Sequence, residues 1–145
     1  MKALILIVCV IGINSCAREN TTITPTATGR LGFDSLQAQP LKKGPFVALD
    51  GPTTGMATVY RQGNVMYIVL NPFKTHSAPD LKVYLSKDDD AIDYIKVGDL
   101  QSTAGKQAYV VPGNPKISDY NYVHIWSEYY TVDFTKADVA IAEIK

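Results

Sequence analysis

The chain has 145 residues, of which 46% are hydrophobic, and its 14 basic residues balance 14 acidic ones. This length suits one domain and is short for two. The balanced charge argues against a nucleic-acid partner, because such binding depends on an excess of positive charge.

The N-terminus has the pattern of a bacterial export signal. Lys2 precedes an unbroken apolar run over residues 3–13, which has the length of a signal-peptide core and is shorter than a membrane-spanning helix. Ser15 and Cys16 follow, and a small residue before a cysteine is typical of a lipoprotein cleavage site. The sequence predicts a signal peptide over residues 1–15, with Cys16 as the lipidated first residue of the mature protein; an ordinary signal peptide is the alternative. We therefore expect an envelope lipoprotein with a palmitate-type anchor in the membrane, facing the periplasm or the exterior.

The lipidated N-terminus and a flexible tether are predicted over residues 16–40. This stretch is rich in Thr, Ala, Pro, Gly and Gln, so it has too little apolar surface to offset the entropy of ordering. Leu31 and Phe33 are the two residues of the tether that could pack onto the domain, which we place at residues 41–145. Cys9 leaves with the signal peptide and Cys16 carries lipid, so the mature domain is expected to have no thiol.

The sequence of the domain predicts a series of short strands separated by turn residues. The predicted strands cover residues 46–50, 56–61, 65–70, 81–86, 92–97, 107–111, 122–126, 130–134 and 139–144. Gln62-Gly63-Asn64 is a hairpin signal between two of them. Strands at this spacing, without a segment of helical period, predict an all-β single domain: an antiparallel β-sandwich or a Greek-key or jelly-roll-like barrel.

Few residues point to catalysis or metal binding. His76 falls in a predicted loop and His124 in a predicted strand, and a metal site would require them to meet each other or carboxylates. Residues 88–90 are three aspartates without the spacing of a calcium loop, which favours a solvated turn. Asp80 enters an apolar strand, a position that favours backbone hydrogen bonds at a turn, with ligand binding as the alternative. We expect no catalytic residue, no metal and no cofactor; an enzyme, the alternative, would be built on strand-end carboxylates such as Asp80.

The densest aromatic stretch lies in the predicted strand 122–126. Alternation places Tyr122, His124 and Trp126 on one face of this strand. Aromatic residues on strands mostly pack in cores, but ones with polar tips also suit contact with a glycan, a peptide or a protein. These three residues are the candidate binding face.

Several ordered motifs carry a family resemblance. They lie at residues 44–46, 55, 79–86, 97–100, 105–112, 120–126 and 134. Together they make residues 44–139 resemble the electron-transfer DM-thirteen domain family. The resemblance implies an extracytoplasmic all-β domain that takes part in redox transfer at cell surfaces, through a cysteine after an Ile-Trp pair that acts as a thiol or holds a group such as haem.

In this sequence the family cysteine is replaced by Ser127. A serine cannot cycle between thiol and disulfide states and is a poor haem ligand. Alternation places Ser127 on the inward face with Val123 and Ile125, so we expect its hydroxyl to bond to a nearby carbonyl. The sequence therefore predicts a membrane-anchored, non-catalytic binding domain with an envelope protein or glycan as partner; an electron-transfer or haem-binding domain is the alternative.

Overall fold

The computed structural model describes residues 32–141, with side chains as far as residue 139. The predicted signal peptide, Cys16 and most of the predicted tether lie outside the described residues, as do residues 142–144 of the last predicted strand. Within residues 32–141, no helix is long and apolar enough to cross a bilayer.

Nine β-strands and one short 3-10 turn make up the described chain. The strands are β1 (Gln39–Ala48), β2 (Thr54–Gln62), β3 (Val65–Lys74), β4 (Leu81–Ser86), β5 (Tyr94–Asp99), β6 (Gln107–Val110), β7 (Tyr122–Ser127), β8 (Val132–Asp138) and β9 (Ala140–Ile141), and the 3-10 turn is Ile117–Asp119. The all-β prediction is confirmed.

The strands form one antiparallel sheet that folds over on itself. Its order is β5-β4-β7-β8-β1-β2-β3-β6, with β9 also paired to β1. Strand β1 joins the two halves: residues 39–45 pair with β2, whereas residues 46–48 pair with β8. The two end strands β5 and β6 contact each other, so the sheet nearly closes. The predicted antiparallel sandwich or barrel is confirmed as this nearly closed arrangement.

The core lies between the two halves of the sheet and follows from the period-2 pattern of the strands. Val59 and Ile68 from one half and Leu85 and Ile125 from the other have no exposed surface. These side chains belong to one continuous apolar cluster. Burial of such side chains contributes about 1.5–3 kcal/mol each, so the alternating pattern both selects the strands and stabilises their packing.

Two glycines allow backbone segments to approach closely. A Cβ atom on Gly44 would overlap the carbonyl of Asp138, where β1 passes the end of β8. A Cβ atom on Gly55 would overlap the carbonyl of Pro72, and Gly55 has a positive φ of 135° beside a bulge between β2 and β3. A side chain at either position would push strands apart, which gives a physical reason for both glycines.

Residues before the predicted domain boundary at residue 41 also contact the sheet. β1 begins at Gln39, and Phe33 packs its ring 5.1 Å from that of Tyr60 and 5.3 Å from that of Tyr67. The Gln62 side chain also bonds to the backbone of Gly32 and of Asp34. The last part of the predicted tether therefore packs on the outer face of β2 and β3. The stretch as a whole has few apolar residues, but the single side chain of Phe33 provides the apolar contact.

Strands β1, β5 and β8 differ in their bounds from the predicted residues 46–50, 92–97 and 130–134, and the shift of β5 has an identifiable cause. β5 was expected at residues 92–97 and lies at Tyr94–Asp99. The Asp88 carboxylate organises the preceding loop by accepting bonds from the amides of Ile92, Asp93 and Asp90 at 2.8, 2.7 and 3.1 Å. These bonds, led by that of Ile92, hold the pKa of Asp88 below its usual value. Ile92 is part of this loop and is 80% exposed, so β5 starts after it.

Candidate functional site

The predicted binding face lies on the outer side of β7. Tyr122, His124 and Trp126 point outward, while Val123 and Ile125 point into the core with no exposed surface. Tyr122 and Trp126 are half-buried, but His124 has no exposed surface either. The three residues therefore share a face, as alternation predicts, yet only the outer two reach solvent.

Neighbouring strands add two tyrosines to this face. Tyr84 of β4 pairs with His124, and Tyr94 of β5 pairs with Ser86. The Tyr84 ring lies 4.1 Å from the Tyr94 ring at 13°, and 6.1 Å from the Trp126 ring at 17°. The three nearly parallel rings run diagonally across β5, β4 and β7. We call Tyr94, Tyr84 and Trp126 the aromatic row.

Neither tyrosine of the aromatic row was among the residues predicted for the binding face. Tyr84 and Tyr94 each occupy an outward position of a predicted strand, which is a local signal. Their meeting with Trp126 depends on the register of β5, β4 and β7, because diagonal cross-strand neighbours are close enough for aromatic contact only in that register.

A carboxylate and a lysine adjoin the aromatic row. The Tyr84 hydroxyl donates to Oε1 of Glu128 at 2.6 Å, and Nζ of Lys96 lies 2.8 Å from the same oxygen. The hydrogen bond from Lys96, followed by that from Tyr84, lowers the pKa of Glu128. Burial, followed by the bond to Glu128, raises the pKa of Tyr84. The pair therefore consists of a neutral phenol and an ionised carboxylate at neutral pH.

His124 forms a buried pair with Asp133 of β8. Nδ1 of His124 lies 2.7 Å from Oδ2 of Asp133. In the tautomer with a proton on Nδ1, the imidazole donates a hydrogen bond to this carboxylate oxygen. Nε2 of His124 and Oδ1 of Asp133 are buried and have no hydrogen-bond partner within residues 32–141. This geometry orients the imidazole firmly, but the full burial of the ring keeps it from contact with a ligand at the surface.

Ser127 lies inside the domain at the end of β7. It has no exposed surface, its hydroxyl donates to the carbonyl of Pro79 at 2.9 Å, and the amide of Tyr130 donates to its oxygen at 3.2 Å. The inward position and the bond to a nearby carbonyl agree with the expectation from the sequence. Ser127 thus joins the turn after β7 to the loop before β4, which is a structural role.

Asp80 lines a polar cavity of about 340 Å³ together with Lys82, Asp99 and Ser102. Its carboxylate binds Nζ of Lys82 at 2.6 Å, and Asp99 binds the same Nζ at 2.6 Å. Lys82 lowers the pKa of Asp99, which is the opposite of the shift that a general acid requires. The cavity therefore holds two acidic groups, and both of them pair with the same lysine.

His76 lies in the loop that follows β3, as expected. Its ring stacks on Phe134 of the core at 4.5 Å and 23°, and its other neighbour is the backbone of Gly51. With Pro52, Thr54 and other residues it lines a second cavity, of about 440 Å³. His76 thus packs against the core, whereas His124 lies on the outer face of the sheet. Among the described residues, no three His, Cys, Asp or Glu side chains are grouped so as to hold a metal.

Comparison with known proteins identifies the family. A search of curated proteins and a search of solved structures gave no match. A family model described as Electron transfer DM13 matches residues 45–139, the segment that contains the last four residues of β1 and all of β2 to β8. This match covers more than half of the chain, and the chain therefore belongs to the electron transfer DM13 family.

Proposed function

We propose that this protein is a lipid-anchored, extracytoplasmic DM13 domain that binds an envelope glycan through its aromatic row. The anchor is inferred from the apolar run at residues 3–13 and from Cys16 after it. Two or three acyl chains would hold the protein stably in a membrane, because each buried CH₂ contributes about 0.8 kcal/mol.

The observation that carries the binding proposal is the exposure of Tyr94. This side chain is 44% exposed, although one side of its ring stacks on Tyr84. The stack fixes the ring, so little side-chain entropy is lost when a ligand binds. Lys96 and Glu128 lie beside it and offer charged hydrogen-bonding groups. A rigid aromatic surface bordered by polar groups suits a sugar ring, which has both apolar C–H faces and hydroxyls.

Fluorescence of Trp126 tests the binding proposal, because it is the only tryptophan of the chain. Titration with soluble peptidoglycan fragments and envelope polysaccharides should change its emission. Tyr94→Ala should weaken binding at least about tenfold, as expected for the loss of a central aromatic contact. Tyr129→Ala is the matched control, because Tyr129 is 70% exposed and meets the Tyr130 ring edge to face outside the row. Binding that persists in Tyr94→Ala, or no binding to any of these glycans, would contradict the proposal.

The proposed anchor has its own test. Mass spectrometry of the protein extracted from membranes should find Cys16 as the first residue, carrying acyl chains. Cys16→Ser should release the protein from the membrane fraction. A mature N-terminus elsewhere would overturn the anchor and leave the glycan proposal standing.

Electron transfer is the second candidate function, and the family match favours it. Ser127 does not fit the family's thiol or haem-holding role, because it has no thiolate and its buried hydroxyl is bonded to Pro79. The absorption spectrum of protein isolated from the envelope checks this conclusion. A haem band would overturn it, whereas a spectrum without one would support it.

A further inference from the structure

The aromatic row connects the surface to a buried tyrosine. Tyr94 is 44% exposed, while Tyr84 is 3% exposed. Their ring centroids are 4.1 Å apart, and Trp126 continues the row on the other side of Tyr84 at 6.1 Å. Electrons pass readily between aromatic rings at such distances, and tyrosine and tryptophan are the side chains that lose an electron most easily apart from cysteine.

Oxidation of a tyrosine also requires a base. Loss of one electron makes the phenol a strong acid, so the electron leaves most easily when the proton moves at the same time. Oε1 of Glu128 lies 2.6 Å from the Tyr84 hydroxyl, which is within the reach that proton transfer needs. Lys96 binds the same carboxylate and keeps it ionised and ready to accept.

Burial favours the survival of the oxidised tyrosine. A radical at the surface is consumed by coupling with other molecules, whereas Tyr84 is covered by Tyr94, Trp126 and the bond to Glu128. Of the three rings in the row, Tyr84 alone has its hydroxyl bonded to a carboxylate among the described contacts.

We propose that Tyr94, Tyr84 and Trp126 form a relay for one-electron transfer, with Tyr84 as its radical site and Glu128 as its proton acceptor. A strong one-electron oxidant, such as the carbonate radical anion, takes an electron at exposed Tyr94 and becomes carbonate. Tyr84 then donates an electron to the oxidised Tyr94 and transfers its own phenolic proton to Glu128. The products are a neutral Tyr84 radical and a protonated Glu128. One electron from a one-electron reductant such as ascorbate passes through Trp126 to the Tyr84 radical, and Glu128 returns the proton. Tyr84 and Glu128 are thereby restored, and Trp126 ends in its original reduced state.

This relay deepens the second candidate function and needs neither a cysteine nor a haem. The two tests are therefore independent. A spectrum without a haem band does not contradict the relay, and a negative result for the relay does not change the interpretation of the spectrum.

Flash photolysis of the full chain in detergent tests the relay, with a photo-oxidised ruthenium polypyridyl complex as the oxidant. Electron paramagnetic resonance and transient absorption should detect a long-lived neutral tyrosyl radical. Tyr84→Phe should shorten the radical lifetime at least about tenfold. Glu128→Gln, which cannot accept the proton, should slow radical formation by about tenfold or more and reduce the solvent deuterium isotope effect.

Tyr129→Phe is the matched control, because it removes an exposed tyrosine outside the row. It should leave the radical's lifetime and rate of formation unchanged. Thermal unfolding of each variant shows whether the fold is kept. Tyr94→Phe is a second variant that keeps the stacked ring and tests whether Tyr94 is the site at which the oxidant takes the electron. An unchanged lifetime in Tyr84→Phe or an unchanged rate in Glu128→Gln would overturn the proposal.

Discussion

Nδ1 of His124 lies 2.7 Å from Oδ2 of Asp133 on the adjacent strand, and this bond holds a fully buried imidazole on the outer side of the sheet. Tyr84 and Lys136 are its cross-strand neighbours on β4 and β8. On the outer face of β7, the His124 side chain is therefore packed against its neighbours, whereas Tyr122 and Trp126 on the same face are partly exposed to solvent. Its stability depends on the hydrogen bond, because a buried polar ring without a partner is costly.

Removal of the carboxylate should destabilise the domain. We expect Asp133→Ala to lower the free energy of unfolding by about 1–3 kcal/mol, since it leaves Nδ1 of His124 buried without an acceptor. Urea denaturation measures the change. Asp138→Ala is the control, because Asp138 is exposed on the same strand and should change stability by less than about 0.5 kcal/mol. Equal effects of the two substitutions would show that the pair contributes nothing.

A cysteine placed at position 127, where the family resemblance implies one, should not be accessible to solvent. Ser127→Cys should fold with a loss below about 1.5 kcal/mol, because a thiol is similar in size to a hydroxyl. The site is fully buried, so the new thiol should react with a thiol reagent only after unfolding. Ser127→Ala should cost about 1–3 kcal/mol through the lost bonds to Pro79 and Tyr130. Rapid labelling of the folded Ser127→Cys protein would mean that the end of β7 opens in solution.

Two glycines of the sheet should tolerate a methyl group very differently. Gly44→Ala should lower the free energy of unfolding by about 1–3 kcal/mol or more, because its Cβ would overlap the backbone of Asp138. Gly98→Ala should be nearly neutral, since its Cβ would meet only the Tyr109 ring, at 4.0 Å. Thermal unfolding of both variants gives the comparison. Similar melting temperatures would contradict the close approach of β1 to the end of β8.

Asp88 should make stability sensitive to acid. Its pKa is lowered in the folded state from an ordinary value of 3.8, so the unfolded chain binds the proton at a higher pH than the folded one. The stabilisation is therefore complete above about 3.8 and is lost as the pH falls through the folded-state pKa. Asp88→Asn should lower stability at neutral pH and flatten the pH dependence below about 4.

Asp90→Asn is the control for this acid effect, because the Asp90 side chain is exposed and only its amide bonds to Asp88. Denaturation curves between neutral pH and strongly acidic pH should follow those of the unaltered protein. If the stability of Asp88→Asn depended on pH in the same way as that of the unaltered protein, the hydrogen bonds to the Asp88 carboxylate would not be the cause of the acid sensitivity.

Local alternation was enough to predict which side chains of a strand face inward. β4 was predicted with its exact bounds, and Tyr122, His124 and Trp126 lie on the outer side of β7 as expected. These properties depend on neighbours in the chain, so the sequence determines them directly.

The tertiary structure decided which residues of the outer face are buried and which of them meet in the aromatic row. His124 is buried, and Tyr84 meets Tyr94, Trp126 and Glu128, because β5, β4 and β7 pair in one particular register. Glu128 lies 44 residues from Tyr84 in the chain, and no local pattern specifies such a contact. The sequence alone determined an all-β domain with a known inner and outer set of residues; the register between distant strands decided which outer residues form a site.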